Sequence, residues 1–224
     1  MTFPSPLVSP GVYFGTGNAP TNAHWSVDTE NGVEIGQVAI LRYVGEVTPV
    51  GNVYTVPTGA TAVIGKTGAA WGVDFSINLG TSGLHLSDVT AKWTLQDNVT
   101  VSVGFFDPLD IPDNAHILGA GPSTASNCST LGAGCDNTVD TGAQNSEALS
   151  FLGIRTAFND LGYNEWVADT YTFTLELFKN TDPTNPIARD QIEVDAVPEP
   201  ASMALLGTAL LGFGGIGWRR RRKG

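Results

Sequence analysis

Trp71-Gly72-Val73-Asp74-Phe75-Ser76-Ile77-Asn78-Leu79 carries a large apolar side chain at every odd position and a small or polar one at every even position. An extended chain turns alternate side chains to opposite faces, so this stretch predicts a half-buried β-strand. Tyr171, Phe173, Leu175 and Leu177 alternate with Thr172, Thr174 and Glu176 in the same way. A hairpin is predicted over residues 88–106, where Val89, Ala91, Trp93 and Leu95 must share a face with Val99, Val101, Val103 and Phe105. A two-residue turn at 97–98 would pair Leu95 with Thr100 and set the two apolar groups on opposite faces. A three-residue loop at 96–98 pairs Leu95 with Val99 instead, with Asn98 in the left-handed conformation. Further strands are expected at 12–14, 24–27, 33–43, 52–56, 149–155 and 187–194. Many short strands separated by turn residues predict an all-β domain over residues 1–196, a β-sandwich of jelly-roll or Ig-like kind.

The chain has 224 residues and a net charge of −11, but the charge is unevenly spread. Five of the eleven cations lie after residue 218, which leaves six against 21 acids in residues 1–197, a charge of −15. So acidic a surface repels phosphate backbones and argues against nucleic acid as a partner. It also repels anionic polysaccharide unless divalent cations bridge the two.

Residues 107–148, rich in Gly, Ser, Thr, Asn and Asp, are read as a long connection. They hold both cysteines, Cys128 and Cys135, whose spacing suits a small disulfide loop in an oxidising compartment. Such a loop contributes roughly 2–3 kcal/mol by chain entropy. Two sulfurs without an adjacent histidine do not make a zinc site, and the spacing is not that of a Cys-x-x-Cys redox pair. Asp107, Asp110, Asp113 and Asn114 offer oxygens for calcium but do not match an EF-hand loop, so they read as solvated loop acids. His24, His85 and His116 are scattered singly, without a metal or triad pattern. No cofactor motif and no catalytic constellation stands out, and the chain is not expected to be an enzyme. Trp25, Trp71, Trp93 and Trp166 could stack on sugar rings. Trp71 and Trp93 fall on apolar strand faces and read as core, while Trp25 and Trp166 stay open.

The C-terminal region, residues 197–224, has a different grammar. Val197 is followed by Pro198, Glu199 and Pro200, then by eighteen uncharged residues, 201–218, then by Arg219, Arg220, Arg221, Arg222 and Lys223. As a helix the apolar run spans roughly 27 Å, close to the ~30 Å thickness of bilayer hydrocarbon. Its five glycines are costly in a soluble helix and tolerated in a membrane one. A basic cluster beyond the run is the positive-inside pattern, which places residues 219–223 in the cytoplasm and the rest of the chain outside. The two prolines keep the chain extended beside the membrane, and Glu199 adds one readable charge. A GPI signal does not fit, because prolines abut the run where a polar spacer belongs and arginines follow it. No Leu-Pro-x-Thr-Gly sortase motif occurs.

Motif, span and basic cluster in this order resemble the PEP-CTERM sorting signal of Gram-negative bacterial proteins, over about an eighth of the chain. The resemblance implies processing by an exosortase, a membrane-embedded cysteine transpeptidase-like enzyme that cuts near the motif and transfers the protein onward. It also implies a setting of exopolysaccharide and biofilm. The leading expectation is an exported surface or matrix protein of structural or adhesive role. The alternatives are a glycan-binding or hydrolytic domain and a permanently anchored single-pass protein. Export by the usual route calls for a basic, then apolar leader, and residues 1–10 show none. The tail favours a leader upstream of Met1 over an unusual export route.

Overall fold

The computed structural model describes residues 23–98, 103–107, 109, 116–118, 141–147 and 167–198. Along them run β1 (Ser26–Glu30), β2 (Val33–Leu41), β3 (Gly45–Glu46), β4 (Val53–Pro57), β5 (Trp71–Asn78), β6 (Val89–Asp97), β7 (Val103–Phe106), β8 (His116–Leu118), β9 (Gly142–Glu147), β10 (Asp169–Lys179) and β11 (Asp182–Val197). One sheet has the order β1-β2-β5-β9-β8, with β3 also paired to β2, and the other has the order β4-β11-β10-β6-β7. Neighbours are antiparallel except β4 and β11, which run parallel.

The two sheets face each other across an aromatic core. Trp71 of β5 meets Tyr171 and Phe173 of β10 at ring-centroid distances of 5.9 and 6.3 Å, and Phe75 meets Trp93 of β6 at 5.5 Å. These are the tilted and edge-to-face arrangements that aromatic quadrupoles favour. The alternation that predicted β5 and β10 thus supplies both inner faces, and Leu95, Leu175, Leu177, Ile192 and Val194 fill the space between the rings.

Three expectations need correcting. First, β5 is not half-buried: Asp74 and Ser76 are as enclosed as Phe75 and Ile77. β2 beside it shows why, since Val38, Ala39, Ile40 and Leu41 form the unbroken apolar run of a strand covered on both faces. Trp25 belongs to that outer layer. Its Cε3 lies 3.4 Å from where a Cβ on Gly36 would sit, so the glycine makes room for the indole. Second, the hairpin of β6 and β7 does not turn at 96–98. Leu95 stands opposite Gly104 and Gln96 opposite Val103. β6 is held in the ladder with β10 through Asp97, and the Asn98 N–H continues it by donating to the Thr170 carbonyl at 3.0 Å. A strand paired on its far side is not free to turn where its near side prefers. Third, 107–148 is not simply a connection, because β8 and β9 lie within it and β9 pairs with central β5. Gly142, Gln144 and Asn145 lack the alternation that would have revealed a strand, and the sheet supplies the pairing instead. The strands expected at 12–14 and 149–155 lie outside the described residues.

Among the described residues no helix is long and apolar enough to cross a membrane, and residues 201–218 are not among them.

Candidate functional site

Two places in the fold concentrate polar chemistry or signal. The first is within the core. β11 presents Ala188, Ile192, Val194 and Ala196 inward, and Asp190 stands in the same row with no exposed surface. β1 and β2 lie across from it. The Ser26 hydroxyl donates to Asp190 Oδ1 at 2.6 Å, and Gln37 Nε2 lies 3.2 Å from both Oδ2 and the Asp190 carbonyl. Gln37 Oε1 in turn accepts from the Trp93 indole N–H at 2.6 Å. The chain of bonds therefore runs from one sheet to the other and back. Burial pushes the Asp190 carboxyl up to about 6, a rise that the Ser26 and Gln37 donors restrain and the Asp28 charge adds to. Burial, then the Asp190 charge, raises the Tyr54 phenol as well, and its hydroxyl donates to the His24 carbonyl. A carboxyl sealed in this way has no path to a substrate. Its chemistry is that of an inter-sheet pin.

The second place is the end of β11. Ala196 and Val197 are still strand, opposite Val56 and Pro57 of β4, and the Thr58 N–H donates to the Val197 carbonyl at 2.9 Å. On the other side Ala196 faces Asp169 of β10. Pro198 follows, exposed, and without an N–H it ends the ladder. Whatever follows Pro198 leaves directly from a sheet, with no linker between.

The other expected positions are dispersed or enclosed. Glu199, Pro200, the 219–223 basic cluster, Cys128, Cys135 and Trp166 lie outside the described residues. Trp25, Trp71 and Trp93 are each buried to within 2 % exposure, so none of the three offers a stacking face. His24 Nδ1 sits 3.0 Å from Glu46 Oε2, and His85 Nδ1 is 3.6 Å from Asp88. The side chain of His116 is not described. Asp107 accepts from the Leu109 N–H at 2.9 Å, while Asp110, Asp113 and Asn114 are not described. Among the described residues no three His, Cys, Asp or Glu side chains converge on a point where a metal could sit. On the outer face of the β10 sheet, Lys92, Asp107, Phe178, Lys179 and Pro183 line an open concavity of about 330 Å³.

Ser26, Gln37, Tyr54 and Asp190 were not legible as a group. The one local signal is parity, since Asp190 occupies a core position in the row Ala188, Asp190, Ile192, Val194.

A two-sheet domain whose last strand runs without a linker into a Pro-Glu-Pro tail defines a class, that of a folded cargo carrying its own C-terminal address. The chain matches the family described as PEP-CTERM protein-sorting motif over residues 196–222. A signal of this kind supports sorting by an exosortase and implies an exported protein whose precursor is associated with the membrane before processing for the cell surface. The match begins at Ala196, so the first two residues of the signal are also the last two of β11. No curated protein matches the chain.

Proposed function

We propose that the domain is a structural or adhesive component of the cell surface or of an exopolysaccharide matrix, released from its membrane anchor at 201–218 by exosortase processing, and not an enzyme. The observation that carries this reading is the merging of the sorting signal with β11. The folded cargo ends where its address begins, so what is delivered is the sandwich itself. The burial of Trp25, Trp71 and Trp93 favours a packing role for them over sugar stacking, and the buried carboxyl of Asp190 is spent on holding the sheets together.

A second reading, glycan binding, rests on the concavity flanked by Lys92 and Lys179. Lys92 and Lys179 bring donors and Asp107 an acceptor to the border of one hollow, a set that suits the hydroxyls of a neutral sugar.

The test is the intact mass of the mature protein from its native host, compared with the same protein from cells lacking exosortase. Loss of the residues beyond the Pro-Glu-Pro region only when the enzyme is present is the expected result. A full-length C-terminus in both strains overturns the processing step and leaves a permanently anchored protein. Deletion of the gene should thin the matrix or weaken cell adhesion. A normal matrix, together with saccharide binding lost on Lys92→Glu, selects the second reading.

A further inference from the structure

Among the described residues six large hydrophobic side chains are exposed, and five of them, Tyr43, Val44, Ile64, Val167 and Val197, gather at one end of the sandwich. The register establishes this. Leu41 at the end of β2 is level with Trp71 at the start of β5, and Trp71 packs on Tyr171, two residues into β10 and opposite Val194. The turn after β2, the segment before β10, the end of β11 and the 58–70 connection all project there. That connection is closed at its base by the Ala70 N–H on the Gly59 carbonyl and by Thr61 on Gly68, and near its tip Ile64 is 98 % exposed. The opposite end is polar. There the β10–β11 hairpin shows Asp182 accepting from Thr184 and Asn185.

The apolar end also carries two of the six cations before the motif. Arg42 and Lys66 lie 5.0 and 4.9 Å from the centroid of the Tyr43 ring, and Arg42 donates to the Tyr43 hydroxyl at 3.0 Å. Tyr43 holds φ at 66°, in the third position of a turn closed by Val44 N–H on the Leu41 carbonyl. Glycine or asparagine is the usual occupant of such a position, and a larger side chain there costs about 1–2 kcal/mol. The fold sustains that cost and presents an aromatic ring between two cations at the protein's edge. The acids of this end are Glu46 on β3, whose Oε2 is 3.0 Å from His24 Nδ1, and Asp97, Asp169 and Asp195 on β6, β10 and the outer face of β11. Burial, with the Asp97 charge, raises the carboxyl of Asp169. β2 packs over β11 instead, away from the Asp97 and Asp169 side.

The same end is where the chain leaves. Three residues, Pro198, Glu199 and Pro200, lie between Val197 and Ala201, where the apolar run begins, and even fully extended the four steps from Val197 to Ala201 reach roughly 13 Å. The headgroup layer on one side of a bilayer accounts for about 5–8 Å of that. A projecting loop closes what remains.

We infer that in the anchored precursor this end is a lipid-docking face. Tyr43, Val44 and Ile64 enter the headgroup layer, and Arg42 and Lys66 rest on anionic lipid phosphates. Exposed apolar side chains ringed by cations and an interfacial tyrosine are the chemistry such a layer accepts. The inference rests on membrane association through 201–218, and it assigns the domain a fixed orientation beside the enzyme that must reach its tail.

Full-length protein is reconstituted into vesicles of phosphatidylethanolamine with phosphatidylglycerol. A fluorophore is placed at Ile64→Cys or at Thr184→Cys on the opposite end, each in a Cys128→Ser, Cys135→Ser background. The label at 64 should lose quenching by an aqueous quencher and gain it from a lipid-phase quencher, while the label at 184 stays aqueous. Arg42→Glu with Lys66→Glu should return the label at 64 to water, each reversal shifting the docked population about fivefold or more. A fully aqueous label at 64 on protein that floats with the vesicles overturns the inference alone. Protection from both quenchers assigns the face to contact with a second copy of the chain and also overturns it. Protein that does not float with the vesicles overturns the anchoring reading on which the inference depends.

Discussion

Asp190 sets a fully buried carboxyl in the otherwise apolar inward row of β11. A carboxyl raised from 3.8 in the unfolded chain to about 6 in the fold keeps its proton in the folded state over that window. Its contribution to stability is therefore greatest below pH 4 and is lost as pH rises through about 6. The shift corresponds to roughly 3 kcal/mol. Unfolding of the full chain by urea in mild detergent, followed by tryptophan fluorescence, should show this decline in midpoint between pH 4 and 7. In Asp190→Asn the decline should flatten, because nothing remains at that position to ionise. Ser26→Ala removes a donor that favours the charged form, so the decline should move to higher pH. Trp93→Phe tests the far end of the network. It takes the indole donor from Gln37 Oε1, and an unsatisfied buried acceptor costs about 1–3 kcal/mol at any pH in this range.

At the scale of elements, turns and edges decide what the strands can do. β1 and β2 are joined at Asn31 and Gly32, with φ of 52° and 78°, the paired left-handed conformations of a tight hairpin. A Cβ on Gly32 would come within 2.8 Å of Thr81 Oγ1 and 3.0 Å of the Ser82 nitrogen. Gly32→Ala should therefore cost at least the 1–2 kcal/mol of a left-handed non-glycine residue, read from the urea midpoint, with the secondary-structure signal retained. β11 is the other decisive element, bordered by β4 on one side and β10 on the other. Ending the chain after Ile192 removes the buried Val194 and Ala196 and all five residue pairs with β4. The loss of Val194 burial alone is worth about 1.5–3 kcal/mol, so this truncation should unfold at markedly lower urea than a chain ending after Pro198.

For the whole molecule the consequence is that sorting and folding share residues. Cleavage after Pro198 leaves the sheet complete, and the mature protein should unfold at the same urea concentration as the uncut chain. Cleavage within 193–197 would release a weakened domain. Comparing the urea midpoint of native mature protein with that of a chain ending after Pro198 separates the two, independently of the mass.

Strands β5 and β10 and the sorting signal were legible because each is a local pattern: alternation with period two, or an ordered series of proline, apolar run and arginines. Chemistry that depends on one segment alone is written in that segment. The burial of Asp190 against Ser26 and Gln37, the extra layer over β2 and β5, the strand in Gly142–Glu147, and the convergence of Tyr43, Ile64 and Val197 on one end were not. Each joins residues far apart in the chain, and only strand order and register determine which distant side chains meet. Local patterns of residues are enough to mark a β-strand domain followed by a C-terminal address. The tertiary structure decided how the address is attached and which face is turned toward it, because pairing with β4 and β10 carries β11 as strand to the very start of the signal.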